Sequence, residues 1–475
     1  MKLPHILMLV AAMTLASIST LSCKNTDEKA CCNKGAIEVA VPERPAGQET
    51  ALGMTADPIE IVRIGFIGLG DRGTGAVPRY CHIPGVEIKA LCDVEPDRVE
   101  RSQQILAYYN LPAADSYSGP DAWKQVCERE DIDLIYICTD WINHTPIALY
   151  AMEHNKHVAI EVPAATTLDE IWDLINTSER TRKHCMMLEN CVYDFFEMTA
   201  LKMAQEGLFG EIIHAEGAYQ HNLDPFWKGY WHNWRLDFNH KNRGDVYPTH
   251  GIGPICQALN IHRGDRMMTL VSMDTDPFNG PKHVQAQTGE ECTDFKNGDQ
   301  TCTLIRTENG KTMLIEHDVM TPRPYSRMYQ LVGTDGYAGK YPVGQICLRT
   351  EGHENVAYDN LGGELVYMYG DLDALMAQHR SDILTPELET LAKQVGGHGG
   401  MDFIMDYRLI YCLQNGLPLD MDVYDLAEWC CLGELSRISL EHGNMPVAVP
   451  DFTRGAWKDA EGKAVINGFH YAFAE

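Results

Sequence analysis

The sequence predicts an α/β chain with two folded halves: an N-terminal doubly wound parallel sheet and a C-terminal α+β half built on an open, mostly antiparallel sheet. Three observations carry this. From residue 59 to about 190, short apolar runs alternate with helix-length segments. Beyond 190 the apolar runs lengthen and follow one another, and the first run of all leads straight into a cluster of glycines. Short continuous apolar runs suit strands buried on both faces, whereas longer successive runs suit antiparallel pairing.

The first strand is expected at 61–67 and is followed at once by Gly68-Leu69-Gly70-Asp71-Arg72-Gly73. A second run, 86–92, ends in Asp93, 20 residues beyond Gly73. Glycines permit a tight turn and close backbone approach, a helix N-terminus takes a pyrophosphate, and an acid at the second strand's end binds ribose hydroxyls. The glycine pattern alone is a weak signal. Strand, glycines, helix and spaced acid together identify a Rossmann-type dinucleotide site, and Asp93 would repel a 2'-phosphate, which selects NAD over NADP. Alternation continues with a helix at 96–109, a strand at 134–138, a helix at 145–154, a strand at 157–160, a helix at 168–182 and a strand at 186–188. The NAD-binding Rossmann domain is therefore set at 59–190. A substrate-binding α+β domain, 191–475, follows, with strands at 212–219, 268–273, 301–306, 312–317 and 328–332 and closing helices at 401–413 and 423–442.

The N-terminus is different in kind. Lys2 precedes an apolar run from 6 to 15, then small and polar residues, then Cys23. This reads as a secretory signal over 1–23, too short and wrongly flanked to span a bilayer. Thr20-Leu21-Ser22-Cys23 resembles a bacterial lipoprotein processing site, so export to the periplasm or cell envelope with a lipid on Cys23 is expected, cleavage nearby being the alternative. Residues 24–58, rich in Lys, Glu, Asn, Pro and Gly, are expected to form a flexible linker. The formal charge of -28 excludes a nucleic-acid surface, which needs clustered cations. Sixteen Cys are scattered, several inside apolar runs, with neither a CxxC pair nor a zinc-type spacing, so buried thiols are expected and no metal.

Gly244-Asp245-Val246-Tyr247-Pro248-Thr249-His250-Gly251 sets a Tyr and a His three residues apart. With a helix beginning there, phenol and imidazole share one face and both reach a single substrate; a satisfied structural pair is the bland alternative. Just upstream, the segment 226–235 holds three of the eight Trp residues beside Arg235. Aromatic faces suit the C–H face of a pyranose, although the same residues could cover the sheet or an interface between copies of the chain, so self-association is left open.

At Ile160-Glu161-Val162-Pro163 the chain resembles the glucose-fructose oxidoreductase and inositol dehydrogenase superfamily, whose sugar dehydrogenases usually carry Glu-Lys-Pro there. Val162 replaces the Lys that serves the hydroxyl proton. The more specific resemblance is to glycoside hydrolase family 109, the NAD-dependent α-N-acetylgalactosaminidases. It rests on Gly68 to Gly73, Trp141 to His144, Glu161-Val162-Pro163, Asn190, Asn233-Trp234-Arg235, Gly244 to Gly251, Arg323-Pro324-Tyr325-Ser326-Arg327, His398-Gly399-Gly400-Met401-Asp402 and Pro450 to Gly455. One departure is the absence of the twin-arginine signal that many relatives show.

That resemblance implies a hydrolysis without the usual carboxylate pair. Bound NAD+ takes a hydride from C3 of the sugar, a base removes the acidified C2 proton, the C1 substituent leaves, water adds and the hydride returns. His250 is expected at the C3 hydroxyl and a Tyr, either Tyr247 or Tyr193, at C2. Cofactor contacts implied by the resemblance are Gly68, Gly70, Asp71, Arg72, Gly73, Asp93, Trp141, Ile142, Asn143, His144, Glu161, Val162 and Asn190. Sugar contacts are Tyr219, Arg235, Tyr247, Pro248, Thr249, His250 and Tyr325. The expected substrates are N-acetylgalactosaminides. The rivals are a sugar oxidoreductase of the same superfamily that releases NADH, and a surface sugar-binding lipoprotein without turnover.

Overall fold

The computed structural model describes residues 35–349, 356–358, 365–367 and 371–459. The expected leader, Cys23 and the first part of the expected linker lie outside the described residues.

The N-terminal half runs β1 (Val62–Ile67), α1 (Asp71–Tyr80), β2 (Val86–Asp93), α2 (Pro96–Tyr108), β3 (Asp115–Ser118), α3 (Ala122–Cys127), β4 (Leu134–Ile137), α4 (Trp141–Glu153), β5 (His157–Ile160), α5 (Leu168–Thr181) and β6 (Cys185–Met187). All six strands are parallel, in the order β3-β2-β1-β4-β5-β6. The order reverses between β1 and β4, and such a switch point opens a ligand crevice at the strands' carboxyl ends. The apolar runs become strands here because both faces are covered: β4 and β5 are buried at every position. Local signals set the helix starts. At α5, the Thr167 hydroxyl accepts from the Glu170 amide while the Glu170 carboxylate accepts from the Thr167 amide, a reciprocal cap.

The second half adds α6 (Phe195–Gln205), β7 (Ile212–Gln220), α7 (Trp234–Lys241), α8 (Thr249–Ala258), β8 (Met267–Asp274), α9 (Gly280–Thr288), β9 (Thr301–Thr307), β10 (Thr312–Asp318), β11 (Gln330–Gly333), β12 (Gly336–Gly339) and β13 (Gln345–Leu348). A small ribbon of β14 (Val356–Tyr358) and β15 (Leu365–Tyr367) follows, then α10 (Leu372–Gln378), α11 (Pro386–Val395), α12 (Met401–Asn415), α13 (Val423–Cys430), α14 (Leu432–Glu441) and β16 (Val447–Ala448). Eight strands form one sheet in the order β13-β12-β11-β7-β10-β9-β8-β16, in which β7 and β10 are the one parallel pair. The expected open, mostly antiparallel sheet is present.

Three expectations are corrected. Residues 35–58, expected as flexible linker, lie against the body: Ile37 bridges Val447, Ala51 is buried, and Arg44 pairs with the buried Glu179 at 3.1 Å. Pro- and Glu-containing sequence with little periodicity hid these few anchoring contacts. The helix expected over 423–442 is two helices meeting at Cys431. The helix expected to begin at Tyr247 starts at Thr249, because Tyr247 precedes Pro248 and a residue before proline is pushed away from helical geometry.

Glycine contacts set how α8 lies on the sheet. A Cβ on Gly251 would meet the Ala218 amide nitrogen at 2.5 Å, and one on Gly217 would meet the Gly251 carbonyl oxygen at 2.1 Å. Helix and strand therefore touch backbone to backbone, and His250 on α8 is brought beside Tyr219 on β7.

Candidate functional site

A cavity of about 570 Å³ opens at the carboxyl end of the parallel sheet and is lined from both halves of the chain. At its inner end Gly68 adopts φ +91°, and a Cβ there would meet the Cys138 carbonyl oxygen at 2.4 Å. A Cβ on Gly73 would sit 1.9 Å from the Gly68 carbonyl oxygen, so Gly73 permits the turn and does not line the cavity. Gly70 caps α1 without a side-chain partner, and a Cβ there would approach nothing nearer than Arg98 at 3.9 Å. The first amides of α1 are thus open to an anion, a fit for a pyrophosphate. Asp93 ends β2, accepting from the Leu69 amide at 2.6 Å, the Glu95 amide at 2.9 Å and Arg98 at 3.4 Å. Its position beside the cavity fits a ribose, and the residues present fit a dinucleotide.

Glu161 and Arg72 meet at 2.8 Å; Arg72 also donates to Asp402 at 2.9 Å, and Asn190 donates to the other oxygen of Asp402 at 2.5 Å. The acid at the end of β5 has a partner from the glycine turn. Burial works against the Asp402 carboxylate, and His398, Arg72 and Arg79 overcome it, holding it well below the usual carboxylate range. His144 places one ring nitrogen 2.8 Å from the Pro163 carbonyl and the other 3.0 Å from the Thr139 carbonyl, and as a neutral ring donates to one of the two. Burial lowers its pKa. Asp71, Trp141, Asn143 and Val162 line the cavity. Ile142 does not: it is exposed on the first turn of α4.

At the other end the Tyr247 hydroxyl lies 3.1 Å from His250 Nε2, and His250 Nδ1 lies 2.6 Å from a carboxylate oxygen of Glu189. With Nδ1–H donating to the carboxylate, Nε2 is the acceptor for the phenol. Burial pushes the Tyr247 phenol well up, against the nearby Arg235. Burial would also raise Glu189, but His250, Thr249 and the Cys191 amide hold it below the usual range. Arg235 is buried with its guanidinium 4.6 Å from the Tyr247 ring and 5.2 Å from Trp141, and one nitrogen donates to the Tyr230 hydroxyl at 2.7 Å. Its Nε and other terminal nitrogen have no protein partner among the described residues. A buried guanidinium with free donors in a cavity attracts an oxygen ligand. Tyr219 packs 4.7 Å from Tyr247 and 5.2 Å from His250, and its hydroxyl is 2.8 Å from His221 Nδ1.

The remaining sequence-based candidates separate. Tyr193 is excluded from the cavity wall: it is wholly buried, and its hydroxyl donates to Asp420 at 3.2 Å. It lies in a short 3-10 turn, Asn190–Tyr193, that packs against both α12 and α8. Pro248 and Thr249 shape the start of α8 without lining the cavity. Tyr325 stands at the rim, edge-on to His221 at 5.0 Å. Arg327 of the same motif is buried against Asp194 and Glu197, and Arg454 of the last motif joins Glu179 and Asn176. Those motifs brace the fold. Sequence reasoning missed Glu189, His221 and Arg98. Glu189 carried a usable signal, an acid at the carboxyl end of a parallel strand.

Residues 62–189 match the oxidoreductase family with an NAD-binding Rossmann fold, and residues 193–459 match the family described as glycosyl hydrolase 109, C-terminal domain. NAD is the cofactor of the first half. The chain is 60% identical over 470 residues to glycosyl hydrolase family 109 protein 1 of Bacteroides thetaiotaomicron, covering 97% of this chain and 98% of that one. It is 60% identical over 455 residues to a glycosyl hydrolase family 109 protein of Porphyromonas gingivalis, covering 94% and 95%. In fold it is similar to levoglucosan dehydrogenase solved with NADH and levoglucosan, at TM-score 0.61 and 17% identity over 82% of this chain and 99% of that one. Fold, cavity and both matched halves agree: the chain belongs to glycosyl hydrolase family 109.

Proposed function

We propose that this enzyme removes terminal, α-linked N-acetylgalactosamine from glycoconjugates by oxidation at C3, elimination across C1 and C2, addition of water and re-reduction. The observation that carries the reading is the Tyr247–His250 pair, 3.1 Å apart, in the same cavity as the dinucleotide turn. Bound NAD+ would accept the C3 hydrogen and return it, leaving no net redox change. The chain's own residues supply positioning and proton exchange. Val162 offers no proton where related dehydrogenases place a Lys, and His250 and Tyr247 fill that vacancy. His250 is assigned to the C3 hydroxyl and Tyr247 to C2, a choice favoured over Tyr193 because the Tyr193 hydroxyl is buried against Asp420. Arg235 has donors free for a sugar hydroxyl or acetamide oxygen. Trp141, Tyr219 and Trp234 offer rings to the sugar's C–H face.

The same proposal places the protein in the cell envelope, with Cys23 lipidated, on the strength of its leader sequence. Purified protein loaded with NAD should release nitrophenol from the nitrophenyl α-N-acetylgalactosaminide without accumulating NADH. Stoichiometric NADH with an oxidised sugar would instead make it a dehydrogenase.

A further inference from the structure

Glu189 follows β6 and has no exposed surface. One of its oxygens accepts from the Cys191 amide at 3.1 Å and stands 2.6 Å from His250 Nδ1. An ionised carboxylate can only accept, so the shared proton lies on Nδ1 and the lone pair of Nε2 is left facing the Tyr247 hydroxyl at 3.1 Å. A buried carboxylate is costly without a cation beside it, and the imidazole becomes that cation when it gains a proton.

We infer that Glu189 is a positioning residue: it holds His250 in the Nδ1–H tautomer and offsets the charge His250 acquires on taking a proton from Tyr247 or from the sugar. The step is a proton transfer alone. An O–H bond of the phenol or sugar breaks, an N–H bond forms at Nε2, and the electron pair stays on the oxygen. The kinetic consequence rests on the proposed glycosidase reading; the tautomer does not.

The plain alternative is that Glu189 serves only to cap the turn through the Cys191 amide. Two variants separate these. Glu189→Gln keeps an oxygen for both Cys191 and Nδ1–H but removes the charge, and Glu189→Leu removes charge and acceptor together. In NAD-loaded protein with 15N-labelled histidine, the His250 ring is assigned by its loss in His250→Ala. The wild type should show a protonated Nδ1 and a bare Nε2, and Glu189→Leu should lose that pattern. Glu189→Gln should retain NAD and keep KM within about threefold while kcat falls by ~10²-fold, and Glu189→Asp should recover part of the loss. Persistence of the Nδ1–H tautomer in Glu189→Leu, or a kcat for Glu189→Gln within about threefold of wild type, overturns the inference. A wild-type protein that cleaves no N-acetylgalactosaminide sinks the proposed function instead, and the tautomer still decides the role of Glu189.

Discussion

The Tyr247 phenol has His250 as its neighbour for proton exchange, 3.1 Å away, while burial holds it protonated at rest. Truncating His250 to Ala should therefore cost ~10³-fold in kcat, and Tyr247→Phe ~10²-fold, with NAD still bound, because general acid–base groups contribute on this scale. Steady-state kinetics on protein checked for bound NAD decides it; near-normal kcat in His250→Ala would remove the pair from the chemistry. Two residues before Tyr247, Asp245 is 1% exposed and neither carboxyl oxygen pairs with a side chain among the described residues. Burial pushes its carboxyl up to about 7. The folded state thus holds this proton more tightly than the unfolded chain, so the group's stabilisation is full in acid and is lost as pH rises through about 7. Asp245→Asn should melt higher than the parent by ~2 °C or more at about pH 8, with the gap closing near about pH 4. A gap of the same size at both pH values would contradict that origin.

The segment between β7 and α7 crosses from the second half to the dinucleotide end of the cavity. Trp231 donates from its indole to Glu95 at 3.2 Å, and the Arg98 guanidinium lies 5.9 Å from its ring, so an aromatic side chain stands over the amino end of α2. Trp231→Ala should release bound NAD about tenfold faster, read by cofactor absorbance retained on repeated gel filtration. Unchanged retention would mean the strap is not what holds the dinucleotide. The dinucleotide elements were legible because their rules are local: Gly68 and Gly73 are forced by contacts within their own turn and the neighbouring strand. By contrast α8 was partly hidden, because Gly251, Gly253 and Pro254 read as helix breakers. Gly251 is small for a tertiary reason, the backbone contact with β7, which no local pattern reveals. Glu189 was visible as an acid at a strand's carboxyl end, but its task was not, since its partner His250 lies 61 residues away.

Across the whole molecule, buried charge joins the two halves at the cofactor crevice. Arg72 and Arg79 of α1 reach Asp402 and Asp406 of α12, at 2.9 Å and 2.6 Å, and Arg72 also holds Glu161. The motif that contains Asp402 was visible in the sequence, but its task was not, because a glycine-flanked Asp reads equally as a cap. The same network fixes the glycine turn relative to the second sheet, so that Gly70 and His250 face one cavity. If the Tyr247–His250 pair exchanges protons with a sugar that also meets the dinucleotide site in this crevice, the proposed hydrolysis passes through a loss of the C2 hydrogen. The direct measurement is hydrolysis of an α-N-acetylgalactosaminide in deuterated water, with the released sugar read by mass spectrometry and proton NMR. Redox-assisted elimination predicts deuterium at C2 of the product and none at C3. Complete hydrolysis with the C2 hydrogen fully retained would contradict it.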